Sequence, residues 1–132
     1  MNEHAITLSI PPEKRFHGVA RLVVGGLAAR LDLSYEHLED LQLALASVLE
    51  RDGYLTGPHV TVRLSVNPES VGMVIGPLDS ELRSELESEE GDSISLRRLL
   101  STLVETVAVE AGEGGDWLTL DKRVPLKSPA ER

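Results

Sequence analysis

The sequence predicts an α+β fold, a two-layer sandwich in which helices pack on one face of a mostly antiparallel mixed sheet. Alternating apolar residues mark five short strands, and apolar residues at helical spacing mark helices between them. At 132 residues the chain can bury one core but hardly two. We therefore expect a single domain over residues 1–124, followed by a flexible C-terminal tail over residues 125–132.

The first two elements are a strand and a helix. Residues 5–10 alternate between apolar and polar side chains, as in a half-buried strand, and Pro11-Pro12 end it. From Glu13 the apolar residues follow helical spacing as far as Leu31. Within this helix Gly25-Gly26 are expected to allow close packing of another backbone.

A second helix is predicted from Ser34, a good N-cap residue, to the stop signal at Asp52-Gly53. Besides its apolar stripe it carries a second row of residues at helical spacing, which we expect on the face opposite the core. This row consists of Asp40, Ala44, Ser47 and Arg51.

The second half of the chain alternates again between strands and helix. Residues 60–66 and 71–75 are predicted as paired strands, and Gly76-Pro77 is expected to end the second strand. A further helix with a leucine-rich stripe is expected to start after a cap at Ser93 or Ser95.

The last two strands are predicted as an antiparallel hairpin. They span residues 106–110 and 117–122, with a glycine-rich turn over residues 112–115. Trp117 is interpreted as a residue that packs on the sheet rather than as a ligand platform.

Charge is concentrated in one segment. The chain has a formal net charge of −9, and residues 79–93 contain seven acids against the single cation Arg83. Leu82 and Leu86 are expected to anchor one or two helical turns in an otherwise charged loop. The acidic balance argues against nucleic-acid and anionic-membrane partners, because both require a basic face.

Metal sites and disulfides find little support in the sequence. There is no cysteine, which excludes disulfides and thiolate ligands. The histidines stand far apart and are expected at the surface or at an edge rather than as metal ligands. They are His4, His17, His37 and His59. No signal peptide or membrane span is predicted, and we expect a cytoplasmic protein.

Three segments together resemble a known family. Residues 40–47 resemble the helix that carries the ATP site in bacterial anti-sigma factors of the serine-protein-kinase type. Residues 91–100 and 104–107 resemble their last glycine box, helix and strand, and the Gly114-Gly115 turn fits as well. These proteins belong to the GHKL ATPase superfamily, so the resemblance implies a histidine-kinase-like ATPase fold over most of the chain.

The resemblance also implies a helical box, Glu-x-x-x-Asn, whose carboxylate acts as a base and whose amide ligates Mg²⁺. In this sequence Ser47 stands at the carboxylate position and Arg51 at the amide position. Serine is a weak base without a partner, and a guanidinium repels a metal ion. We therefore expect no catalytic residue here.

The family's other two boxes are altered too. The adenine-binding aspartate position holds Gly76 and a glycine position holds Leu78, while Asp79 comes three residues late. Of the phosphate-binding glycines only Gly91 remains, followed by Ser93 and surrounded by acids. We therefore expect no cofactor; ATP with Mg²⁺ would bind only if the pocket survives.

The resemblance implies a regulator of transcription, acting in the bacterial stress response. Expected partners are a sigma factor, an anti-anti-sigma protein of the STAS type or both, with a homodimer as a further expectation. One alternative is an active serine-protein kinase that phosphorylates an anti-anti-sigma factor and uses Glu50 or Asp79. Another is a scaffolding relic of the fold without contact to a sigma factor.

Overall fold

The computed structural model describes residues 4–30, 33–50, 57–67, 69–87 and 96–124. Five strands and four α-helices occur in this part of the chain, and the helix α1 is preceded by a short 3-10 turn at Lys14–Phe16. In chain order they are β1 (His4–Ile10), α1 (His17–Arg30), α2 (Tyr35–Leu49), β2 (Val60–Val66), β3 (Ser70–Leu78), α3 (Glu81–Glu87), α4 (Leu96–Leu103), β4 (Thr106–Gly112) and β5 (Gly115–Arg123).

The five strands form one sheet in the order β1-β2-β3-β5-β4, and every neighbouring pair is antiparallel. Strand β2 shows how alternation sets the two faces. Val60, Val62, Leu64 and Val66 are buried, whereas Arg63 between them is exposed. The predicted α+β sandwich with one covered sheet face is confirmed.

The helices cover the buried face of the sheet. Helix α1 packs against α2, α2 against α4, and α3 against α4. Their buried side chains and those of the strands form a single core. The largest side chains that are fully enclosed include Leu45, Leu64, Met73, Ile75, Leu118 and Leu120.

Helix α2 begins as predicted but presents a different face from the one expected. The Ser34 hydroxyl accepts a hydrogen bond from the His37 amide at 3.1 Å, which caps the helix. The expectation that Ala44 and Ser47 lie opposite the core is wrong, because Ala44 is fully buried and Ser47 half-buried. The reason is that this side of α2 turns toward α4 and β5, where Asp40 pairs with Lys122.

Among the described residues, the glycine pair of α1 does not meet another backbone, and only Gly25 lies beside a side chain. Gln42 of α2 donates from Nε2 to the carbonyl of Arg21 at 3.0 Å, and a Cβ at Gly25 would lie 3.5 Å from the same nitrogen. Gly26 has no neighbour within 4 Å of such a Cβ. The Gln42 amide thus joins the two helices beside Gly25, and a Cβ at position 25 would touch it only at ordinary van der Waals distance.

Strand β3 continues where the sequence predicts an end. The Gly76–Pro77 peptide is cis, Gly76 pairs with Thr61 of β2, and Leu78 pairs with Asp116 of β5. A shift of register between Ile75 and Leu78 absorbs the irregularity. The prediction that Gly76-Pro77 ends the strand is wrong, because Gly76 still pairs with β2 and Leu78 pairs with β5 beyond the proline.

The acidic segment contains the predicted helical turns. Helix α3 has seven residues, and Leu82 and Leu86 are buried in the core. Residues 88–95, which include the predicted caps Ser93 and Ser95, lie outside the described residues, as does the predicted tail over 125–132. In the part of the chain that is described, no helix is long and apolar enough to cross a membrane.

Candidate functional site

Ser47, the residue that the resemblance places at the family's carboxylate position, has a hydroxyl that bonds to the backbone of α2. Ser47 Oγ donates to the carbonyl oxygen of Leu43, one turn earlier, at 2.7 Å. Within the described residues Ser47 has no hydrogen bond to a carboxylate or an imidazole. Its proton is thus directed into the helix rather than toward a base. Arg51, the second position of this box, lies outside the described residues.

The adenine-contacting aspartate position on β3 is covered by an aromatic ring. Gly76 is buried, and a Cβ at this residue would overlap three ring atoms of Trp117 on β5. Any side chain here, including the carboxylate of the family, requires the indole to move. The glycine at position 76 therefore belongs to the packing of the sheet.

Trp117 is held by contacts on two neighbouring strands. A Cβ at Gly112 of β4 would lie 2.5 Å from the indole, so the ring fits between two residues without side chains. The indole Nε1 donates to the carbonyl of Glu113 at 2.9 Å, and Gly114 supplies the left-handed backbone of the turn with φ +81°. The predicted sheet-packing role of Trp117 is confirmed.

The residues that follow β3 also have internal partners. Leu78, at a family glycine position, is fully buried in the core. Asp79 Oδ1 accepts a hydrogen bond from the Glu81 amide at 2.9 Å, so this carboxylate caps the start of α3. In this conformation the Asp79 carboxylate serves as the N-terminal cap of α3.

Helix α3 is fixed to the sheet by an ion pair. Arg83 donates from Nη2 and Nε to the two carboxylate oxygens of Asp116 on β5, at 3.1 and 3.3 Å. The carboxylate side chain is only 14% exposed. The single cation of the acidic segment thus joins α3 to β5.

A buried lysine that the sequence analysis missed joins three elements. Lys122 of β5 lies 3.0 Å from the Asp40 carboxylate of α2 and donates to the carbonyl of Leu103 at the end of α4, at 2.8 Å. Leu118 and Leu120 share its side of the strand. The same alternation that identified the hairpin therefore signals a lysine on the covered face.

The predicted position of His17 is also wrong. Instead of a surface or edge residue it is 7% exposed, and its Nε2 has no hydrogen-bond partner among the described residues. The signal lies in its spacing to Ala20, Val24 and Ala28, which form the buried side of α1. His17 is one of the residues that line a cavity of about 450 Å³ at the start of the helix.

The outward side of α1 leaves apolar side chains in solvent. Leu22 is 77% exposed and Val19 41% exposed, and with Gly18 and Gly26 they form what we call the α1 surface. A groove of about 530 Å³ runs beside it toward Gln42 of α2. Leu22 is the most exposed large hydrophobic side chain among the described residues.

Of the positions that the resemblance assigns to the nucleotide, the described ones offer a single side-chain oxygen, that of Ser47. Ser47 offers a hydroxyl already bonded, Gly76 and Leu78 offer no side-chain oxygen, and no cluster of three potential metal ligands occurs among the described residues. Gly91 and Ser93, the remaining candidate positions, lie outside them.

Comparison with known sequences gives relatives but no family model, since none matches. The serine-protein kinase RsbW of Listeria monocytogenes is 28% identical over 130 residues, covering 83% of this chain and 81% of that protein. RsbW of Oceanobacillus iheyensis is 38% identical over 48 residues, and RsbW of Halalkalibacterium halodurans is 42% identical over 41 residues. These two shorter matches span only 30% and 25% of the relatives' own lengths.

Comparison with solved structures gives the fold. The crystal structure of the RsbU and RsbW domains of Rv1364c from Mycobacterium tuberculosis matches 92% of this chain with a TM-score of 0.69 and 15% identity. The match spans 32% of that longer chain. The resemblance predicted from the sequence is therefore confirmed: this chain is similar in sequence to the RsbW serine-protein kinases and has the fold of an RsbW-containing structure.

Proposed function

We propose that this protein is an anti-sigma-factor-like regulator that works by protein–protein binding and has lost ATP binding and kinase activity. The proposal separates the fold of the RsbW relatives from their chemistry. The observation that carries it is the Ser47 hydroxyl, which stands at the family's carboxylate position and donates to a backbone carbonyl. A hydroxyl without a basic partner neither takes up a proton at neutral pH nor ligates Mg²⁺ as a carboxylate does.

The end of β3 supports the same proposal. A base-recognising carboxylate at position 76 is incompatible with the indole of Trp117 as it lies, and Asp79 is bonded to the start of α3. Recovering adenine recognition would require Trp117 to leave its place or α3 to lose its cap. Each change would break a contact that stabilises the fold.

The proposed partners are a sigma factor, an anti-anti-sigma protein of the STAS type, or both. The α1 surface supports a protein partner because Leu22 and Val19 are exposed beside a groove. The net charge of −9 favours a partner with a basic patch, and association would then slow as salt rises. We also propose a cytoplasmic location and a homodimer.

Calorimetric titration with ATP and Mg²⁺ tests the loss of nucleotide binding. We expect no saturable heat at micromolar ATP, because the described positions of the helical and adenine boxes offer neither a metal ligand nor a base-recognising carboxylate. Arg21 lines a separate cavity at the start of α1, so the variant Arg21→Gln removes any ATP binding that depends on that cavity. Micromolar affinity for ATP that persists in this variant would contradict the proposal.

A binding assay with a purified candidate sigma factor tests the partner surface. Leu22→Ala is expected to weaken binding about tenfold if the residue is central to the interface. Tyr35→Ala, which removes an equally exposed side chain from the start of α2, is the matched control and should bind like the unmodified protein. Equal losses in both variants would place the interface elsewhere.

An active kinase remains the alternative, and one observation favours it. Glu50 is an exposed carboxylate at the end of α2 and makes no ion pair among the described residues. This alternative predicts transfer of labelled phosphate from ATP to a STAS-type protein, lost in Glu50→Ala or Asp79→Ala. No transfer by the unmodified protein would exclude it.

A further inference from the structure

The cavity at the start of α1 brings together charged residues from three elements. Lys14 belongs to the 3-10 turn, His17 and Arg21 to α1, and Glu50 to the end of α2. Its volume is about 450 Å³. Of the positions that the RsbW resemblance assigned to the nucleotide, the described ones, Ser47, Gly76 and Leu78, do not line it.

His17 is the buried member of this group. It is 7% exposed, and its Nε2 has no hydrogen-bond partner among the described residues. A buried ring nitrogen without a partner is unfavourable, because burial removes its hydrogen bonds to water. Since His17 lines the cavity, a turn of its ring would bring Nε2 to an oxygen of a ligand seated there.

The two cations of the cavity are unpaired in the described part of the chain. Lys14 and Arg21 are both exposed, and neither side chain makes an ion pair or a hydrogen bond with a described residue. Arg15, their neighbour, is instead paired with Glu13 at 2.7 Å. On this cavity two cations without a partner among the described residues stand against one carboxylate, that of Glu50, so its lining is net positive in a protein whose net charge is −9.

We propose that this cavity binds a phosphate group, as the free ion or as a phosphate monoester. Arg21 would contact two oxygens with its planar fork, and Lys14 would contribute a point charge. His17 would donate from its ring to a further oxygen. Glu50 on the same cavity accepts a hydrogen bond from a hydroxyl or ammonium group, which gives an ester such as phosphoserine a contact that free phosphate lacks.

Titration at constant ionic strength with inorganic phosphate, and separately with phosphoserine, tests the site and distinguishes the two ligand sources. Saturable binding of either supports the proposal, and tighter binding of phosphoserine identifies the ester. Arg21→Gln should weaken binding about tenfold, the effect of losing a charge-assisted hydrogen bond. Lys14→Gln should act in the same direction.

The matched control is Arg63→Gln, which removes an exposed cation from β2 outside the cavity. Its effect should stay below about twofold, because a remote surface charge is screened by salt. Equal weakening by Arg21→Gln and Arg63→Gln would show nonspecific attraction and overturn the proposal. So would the absence of binding by millimolar phosphate.

NMR of the unmodified protein tests the part played by His17 without a mutation in the core. Saturating phosphate should shift the imidazole nitrogen resonances of His17 while those of His59, an exposed histidine outside the cavity, stay in place. No shift at His17 would overturn its role. The phosphate site is independent of the proposed regulatory function. If Arg21→Gln abolishes ATP binding, that binding belongs to this cavity. If ATP binding survives in Arg21→Gln, it contradicts the proposed loss of the nucleotide site and leaves the phosphate site untouched.

Discussion

The end of β3 and the start of α1 use their special residues in opposite ways. At the end of β3, Gly76 accommodates Trp117, and Asp79 caps α3. At the start of α1, the cations Lys14 and Arg21 have no partner among the described residues. The contrast teaches that substitutions in the first region should change stability, whereas substitutions in the second should change binding.

The largest loss of stability is expected from Gly76→Ala. A single added Cβ overlaps the ring of Trp117, so the free energy of unfolding should fall by about 3 kcal/mol in urea titrations. Gly26→Ala is the matched control, because a Cβ there meets nothing within 4 Å. It should raise the free energy of unfolding by about 0.5 kcal/mol through higher helix propensity. Equal effects in both variants would refute the packing role of Gly76.

Lys122→Met is expected to lower the free energy of unfolding by about 2 kcal/mol. The substitution leaves the Leu103 carbonyl and the Asp40 carboxylate without the ammonium group that contacts both. The expected loss is smaller than for a fully buried ion pair, because the Asp40 side chain is 35% exposed and water screens its charge. The free energy of unfolding of Lys122→Met, Asp40→Asn and the double variant gives the coupling energy directly. Additive losses would show that the two side chains do not interact.

Arg83→Gln is expected to lower the free energy of unfolding by about 1 kcal/mol at low salt, through loss of the two-point contact with Asp116. Because the arginine is 42% exposed, the loss should shrink as salt rises. Urea titrations at two salt concentrations measure this. A loss independent of salt would indicate that packing, not charge, gives Arg83 its role.

The smallest effect is expected at Ser47. Ser47→Ala removes a hydroxyl bonded within the helix and should change the free energy of unfolding by no more than about 0.5 kcal/mol, in the stabilising direction. Affinity for the partner protein, measured in the same preparation, should be unchanged. A marked loss of affinity, or of any phosphate transfer, would show that Ser47 acts in function.

The spacing of apolar residues predicted the order of helices and strands, because most of these elements bury one face and expose the other. Strand β2 alternates along its whole length, and the Ser34 cap of α2 forms as expected. Strand β3 was predicted too short, because glycine followed by proline is a typical local signal for the end of a strand. Pairing of Gly76 with Thr61 and of Leu78 with Asp116 keeps this part of β3 in the sheet. That pairing is set by neighbours distant in sequence, which a local pattern does not contain.

The residue types of the candidate site can be seen in the sequence, but their contacts cannot. The residue types at positions 47 and 76 already indicate a missing carboxylate, since serine and glycine cannot replace it. That Trp117 excludes a side chain at Gly76 depends on the register between β3 and β5. The burial of His17 follows from its spacing on α1, but its unsatisfied nitrogen depends on what packs around it.

Because Trp117 is packed between two glycines, its fluorescence is an intrinsic probe of the sheet. It is the one tryptophan of the sequence, and it lies on the face of β5 opposite Leu118 and Leu120, away from the helices. Its emission should therefore follow the integrity of the β3–β5 pairing during unfolding. Occupation of α1 by a partner should leave that emission nearly unchanged, so one intrinsic signal separates damage to the sheet from binding at the helices.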